Sequence, residues 1–151
     1  MILQMRENEP QLIETPLDRI EVRAEFVRIE PAKLFDFWIQ PDLLKKWWPP
    51  EVEIEPLLGG RYHFSWPKQS WHLRGKITEF EMAKRLGLTW RWDHEPQDVT
   101  EVRVLFSPGN HGGTELVLHQ GTYALNEDGK RIRDGHVEGW LYFLGKLQER
   151  V

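Results

Sequence analysis

The chain has 151 residues, 40 % of them apolar and 29 % charged, with a net charge of -4 at neutral pH; this is the range of one globular domain with a real core. The acidic balance disfavours nucleic acid and anionic membranes as partners, and the lack of cysteine removes disulfides, thiolate metal sites and cysteine nucleophiles. No apolar run is long enough to span a bilayer, and Met1 to Arg6 carries no signal-peptide pattern, so cytoplasm is the default location.

Residues 1–18 are polar, contain two prolines and show no sustained period; they read as an N-terminal extension ahead of a domain over 19–151. From Ile20 the period is two, with Ile20, Val22, Ala24 and Phe26 on one face. Pro31 suits the first position of a short helix carrying Leu34, Phe35, Trp38 and Ile39. Pro41 starts a second, through Leu44, Trp47 and Trp48, which Pro49-Pro50 stops. A string of six strands follows. Their apolar faces are marked by Val52 and Ile54, then Tyr62 to Trp66, Trp71 to Ile77, Leu86 to Trp92, Val102 to Phe106, and Leu116 to Gln120. Turn-rich segments at Asp93–Asp98 and Ser107–Gly113 imply an antiparallel meander. A last helix is expected from about Asp134, as N-cap, with Val137, Trp140, Leu141, Leu144 and Leu147 as its apolar stripe. The fold class is therefore α+β, a curved antiparallel sheet in the order β-α-α-β6-α wrapped around a long C-terminal helix.

Eight tryptophans are many for this length. The inward set is Trp38, Trp66, Trp71, Trp90, Trp92 and Trp140, with Trp47 or Trp48 at the mouth; such a set either packs a heavy core or lines a pocket. Of the six histidines, His94 and His111 fall in turns, and His63, His72 and His119 on the outer face. Only His136, four residues before Trp140, looks inward, as a ligand anchor or as a side chain satisfied by a nearby carbonyl. No histidine pair is spaced to share an inner metal, so no metal or cofactor is expected. Gly109–Gly113 reads as a hairpin turn rather than a phosphate loop, since no helix follows it. Asp93, Glu95 and Asp98 read as a solvated acidic loop, and no nucleophile can be assigned.

Several segments together resemble a known family. They are Pro41-Asp42-Leu43-Leu44-Lys45-Lys46-Trp47-Trp48, Gly59-Gly60-Arg61-Tyr62, Gly75-Lys76-Ile77-Thr78-Glu79-Phe80, Arg85 to Trp92, and Glu138-Gly139-Trp140 with Leu144 and Leu147. In this order and spacing, over roughly residues 20–151, the chain resembles the START-like (SRPBCC) helix-grip superfamily, and within it the homologues of the heat-shock-protein-90 ATPase activator. Two departures stand out. Pro49 follows the paired tryptophans where relatives commonly have glycine, and Gln120 stands where relatives often carry an inward histidine. Gln120 cannot act as an acid or base at neutral pH.

The resemblance and the inward aromatic set imply binding of a small hydrophobic or aromatic ligand in an internal tryptophan-lined cavity. The residues expected to line it are Trp38, Trp48, Tyr62, Phe64, Trp66, Trp90, Trp92, Phe106, Gln120, His136 and Trp140. One alternative is a cyclase- or aromatase-like enzyme using the same pocket, with His136 as its acid or base. Another, implied by the resemblance alone, is a chaperone partnership, although activating relatives carry a further N-terminal domain and residues 1–18 are too short for one. The segment Trp47-Trp48-Pro49-Pro50 is read as exposed, either a homodimer contact or a cavity rim.

Overall fold

In the computed structural model, which describes residues 9–151, the alternating segments form eight strands in one antiparallel sheet. They are β1 (Gln11–Ile13), β2 (Arg19–Phe26), β3 (Glu51–Ile54), β4 (Arg61–Trp66), β5 (Trp71–Glu81), β6 (Arg85–Trp92), β7 (Thr100–Pro108) and β8 (Thr114–Gly121). Their spatial order is β1-β2-β8-β7-β6-β5-β4-β3, so the first long strand closes on the last. β2 shows why the register is firm. Ile20, Val22, Ala24 and Phe26 are buried while Arg23 and Glu25 face solvent, and a one-residue slip would exchange the two sets. The register of β5 against β6 shifts between Ile77 and Glu79, a bulge that adds local twist and helps the sheet curl.

Two short helices, α1 (Pro31–Asp36) and α2 (Pro41–Leu44), each begin with proline at the first turn. Turns beyond α2 continue to Trp48, whose N–H donates to the Leu44 carbonyl at 3.0 Å. Both helices point Leu34, Phe35, Leu44, Trp47 and Trp48 into the core. The paired tryptophans are therefore buried, not exposed as expected. Trp47 Nε1–H donates to the Phe37 carbonyl at 2.9 Å, which holds its ring beneath the chain. Pro49 is buried as well, and Pro50 alone of the four faces solvent, so this segment offers no aromatic dimer contact.

The long helix α3 spans Glu127–Arg150 and starts two turns earlier than expected. Its N-cap is Asn126, whose side chain accepts the Gly129 N–H at 2.8 Å, not Asp134. The early turns present Gly129, Ile132 and Arg133 to the core, a set with too little apolar character to announce a period. Arg133 is admitted because its Nε–H donates to the Arg19 carbonyl at 2.9 Å. Gln148 ties the other end of α3 to β2 through the Glu25 carbonyl at 2.8 Å. The core lies between α3, the two short helices and the concave face of the sheet.

The extension expected over 1–18 is partly built into the sheet, since Gln11–Ile13 pair with Glu21–Arg23. Three edge residues held by backbone bonds carry no side-chain period to read; the first eight residues of that expectation lie outside the described residues. Among the described residues no helix is long and apolar enough to cross a membrane.

Candidate functional site

Five tryptophan rings occupy the centre of the molecule. Trp48 stacks on Trp90 at 5.6 Å and 17°, and Trp38 on Trp140 at 6.0 Å and 30°. Trp47 stacks on Trp48, and Trp140 also meets Trp48 and Trp90 at 5.2 and 5.3 Å. Such offset and tilted pairs add to the burial of large rings. Gln120 belongs to this centre. Its Oε1 accepts from Trp140 Nε1–H at 2.7 Å, and its Nε2 donates to Thr100 Oγ1 at 2.9 Å. Both ends of the amide are occupied, so Gln120 holds Trp140 in place rather than waiting for a ligand. Tyr62 is likewise engaged. Its hydroxyl donates to the Thr89 carbonyl at 2.6 Å, and at Gly75 beneath it a Cβ would collide with the Thr89 carbonyl oxygen and lie 2.5 Å from the Tyr62 ring.

Open space lies beside this stack. A half-open cleft of about 470 Å³ runs between α3, the end of β6 with its following turn, and the β4–β5 hairpin. Trp48, Trp90 and Trp140 form its inner wall, and Trp66, Trp71 and Trp92 its outer one. The outer rings touch one another, Trp66 and Trp92 at 5.3 Å and Trp71 and Trp92 at 6.1 Å, and His94 stacks on Trp71 at 6.0 Å. On the helix side the wall carries Gly135 and Gly139. A Cβ at either position would meet no atom within 4 Å. These glycines therefore relieve no crowding within the protein; they leave the helix surface bare where it faces the cleft.

His136 is the mostly buried polar side chain of this wall, only 10 % exposed, between the exposed Arg131 and Glu138 of the same helix. Burial first, then the neighbouring His94, pushes its pKa down to about 4, so the ring is neutral at pH 7. Its Nδ1 lies 2.8 Å from the Tyr123 hydroxyl, and burial raises the Tyr123 pKa beyond its usual range, keeping the phenol protonated. If Tyr123 donates, the ring carries its proton on Nε2, and that atom alone lacks a partner. The other tautomer would strand both the Tyr123 proton and the Nε2 lone pair. The first arrangement leaves fewer polar groups unpaired and is the one assigned. Nε2 is buried and has no hydrogen-bond partner among the described residues; the nearest carboxylate oxygen, Glu95 Oε1, is 4.0 Å away.

Of the residues expected to line a pocket, Trp48, Trp66, Trp90, Trp92, His136 and Trp140 meet at the cleft. Trp38, Tyr62, Phe64, Phe106 and Gln120 are buried away from it in the core. Trp71, expected inward, is 44 % exposed at the hairpin tip, beyond the reach of the helix that covers the sheet. Sequence reasoning passed over His94, Glu95 and Tyr123. The first two sit in a turn with no period. Glu95 was expected in a solvated acidic loop, yet it faces His136, while its neighbour Asp93 is held by Arg74 at 3.0 Å. The outer-face histidines His63 and His72 approach each other, Nε2 to Nδ1, at 2.8 Å, and no group of three metal-ligating side chains occurs among the described residues.

Comparison with known proteins places this geometry. Among solved structures, protein MLL2253 of Mesorhizobium loti is 26 % identical, with a TM-score of 0.75 over 87 % of this chain and 94 % of that one. A protein of Rhodobacter sphaeroides is 22 % identical, with a TM-score of 0.75 over 94 % and 97 % of the two chains. CalU16 of Micromonospora echinospora is 20 % identical, with a TM-score of 0.67 over 92 % and 83 %. The last two likenesses show the fold alone. No curated protein matches in sequence. The family described as Activator of Hsp90 ATPase homolog 1-like protein matches residues 28–151, from the turn after β2 through the whole of α3. The chain belongs to that family, within the helix-grip superfamily that its sheet and long helix display.

Proposed function

We propose that the protein binds a small apolar or aromatic molecule in the cleft between α3 and the β4–β5 and β6 ends of the sheet. The observation that carries this reading is the cleft itself, with aromatic walls, a volume of about 470 Å³ and a floor left bare by two glycines that nothing in the protein fills. Concave, mostly apolar spaces of this size with few polar groups are the usual form of a small-molecule site. The cleft replaces the enclosed cavity expected from the sequence, since the centre is taken by stacked tryptophans. Binding is favoured over acid–base catalysis. With Nδ1 accepting from Tyr123 and the proton on Nε2, His136 has no free lone pair to take a proton, so it orients a ligand rather than deprotonating one.

Naphthalene serves as the test probe, followed by tryptophan fluorescence and calorimetry. A ten-atom apolar ring in such a cleft is expected to bind with a Kd on the order of 0.1 mM. Trp71→Ala, at the exposed rim, should weaken it several-fold with the melting temperature unchanged. No signal up to the solubility limit of the probe, or affinity indifferent to Trp71→Ala and Gly139→Leu alike, would remove this reading.

A further inference from the structure

Resting on the cleft as the binding site, we infer that its ligand is a hydroxylated aromatic whose hydroxyl oxygen sits between His136 Nε2 and Glu95 Oε1. The two atoms are 4.0 Å apart, too far for a hydrogen bond to each other. An oxygen about 2.8 Å from both would see them at an angle of roughly 90°, which a hydroxyl can satisfy. The chemistry of the pair is asymmetric. Nε2–H is a donor without an acceptor, held in that tautomer by Tyr123, and Glu95 offers a carboxylate. A group filling the gap must accept on one side and donate on the other, and a single hydroxyl does both. Its bond to Glu95 is charge-assisted and short, so it counts for more than a neutral contact. A ketone or an ether supplies only the acceptor, and an ammonium supplies only donors, which would face the Nε2–H.

The surroundings call for a flat ring behind that hydroxyl. His136 lies on α3 between Gly135 and Gly139, both bare toward the cleft, and Trp90 meets the His136 ring edge-on at 5.9 Å. A planar ring can therefore lie against the helix backbone and reach the outer wall of Trp66 and Trp92. Glu95 is mostly buried, its side chain 19 % exposed, so its contact with a ligand is sheltered from water rather than a rim interaction.

The test compares 2-naphthol, naphthalene and 2-methoxynaphthalene on the wild-type protein and on Glu95→Ala, by calorimetry. 2-Naphthol should bind at least tenfold more tightly than naphthalene, and the methyl ether no more tightly than naphthalene, because it cannot donate. In Glu95→Ala the advantage of 2-naphthol over naphthalene should fall below threefold. His136→Phe, where circular dichroism shows it folded, should do the same; the Glu95 variant and the methyl ether decide the matter if it is not. Equal binding of 2-naphthol and naphthalene by the wild type overturns this inference and leaves the cleft as a purely apolar site. A naphthol advantage that survives Glu95→Ala overturns it too, by placing the hydroxyl elsewhere. Failure of all three probes overturns the inference together with the cleft reading.

Discussion

Trp90 and Trp92 stand two residues apart on β6 and on the same face of the sheet, yet they meet different surroundings. Trp90 is buried and stacked against Trp48, whereas Trp92 is half-buried and faces the cleft. The same division separates Trp140, whose N–H is tied to Gln120, from Trp71, which lies open at the hairpin tip. Alternation along a strand decides which face a side chain takes. How far the covering helix reaches along that strand then decides whether the ring packs or lines a surface. The centre is held by stacking and by the hydrogen bonds of Trp47, Trp140 and Gln120, with the Trp38 and Trp90 N–H groups buried without a partner among the described residues. The rim keeps aromatic surface open to solvent.

The sharpest way to break this contrast is at its centre. Trp140→Ala removes a ring that touches Trp38, Trp48 and Trp90 and strands the Gln120 carbonyl, so it should cost about 3–5 kcal/mol of stability by chemical denaturation. A loss no greater than that of Trp71→Ala would mean that centre and rim are not distinct. A second, smaller effect should appear with pH. His136 is held near pKa 4 when folded, against an ordinary 6.5. The unfolded chain therefore takes up a proton below about pH 6.5 that the folded one refuses until about pH 4. Its contribution is full above pH 6.5 and is lost as pH falls toward 4, by up to about 3 kcal/mol. Denaturation curves from pH 7.5 to 4 should fall less steeply for His136→Gln, and parallel curves would show that the imidazole titrates freely. The smallest effect sharpens the contrast at the floor of the cleft. Gly139→Ala meets no neighbour, so it should raise stability by about 1 kcal/mol through helix propensity while weakening naphthalene binding. Stabilisation without any loss of binding would move the ligand off this part of the helix.

Much of this arrangement was legible beforehand because it rests on simple periods. The alternation of Tyr62, Phe64 and Trp66 and of Leu86, Leu88 and Trp90 names the concave face, and the spacing of His136 and Trp140 places both on the inner side of α3. What stayed hidden obeys no period. Arg133 occupies a core-facing position because a backbone carbonyl 114 residues away receives its Nε–H, a pairing invisible along the chain, and with it the first two turns of α3 went unseen. Tyr123 follows β8 in an irregular segment, and Glu95 sits in the turn after β6. Their partnership with His136 exists only once the sheet has curled. The exposure of Trp71 could not be read either, since alternation gives a face and no depth.

The position of α3 in the chain has a consequence for how the protein is made. Every strand precedes it in the sequence, so during synthesis the concave face, with Trp90, Trp66 and Phe106, is completed before the helix that covers it emerges. Until then the nascent sheet presents a broad aromatic surface to whatever surrounds it, the condition under which newly made chains aggregate or are held by other proteins. The interval ends when Val137, Trp140, Leu144 and Leu147 of the helix cover that face, with Arg133 and Gln148 fastening the helix to the backbone of β2.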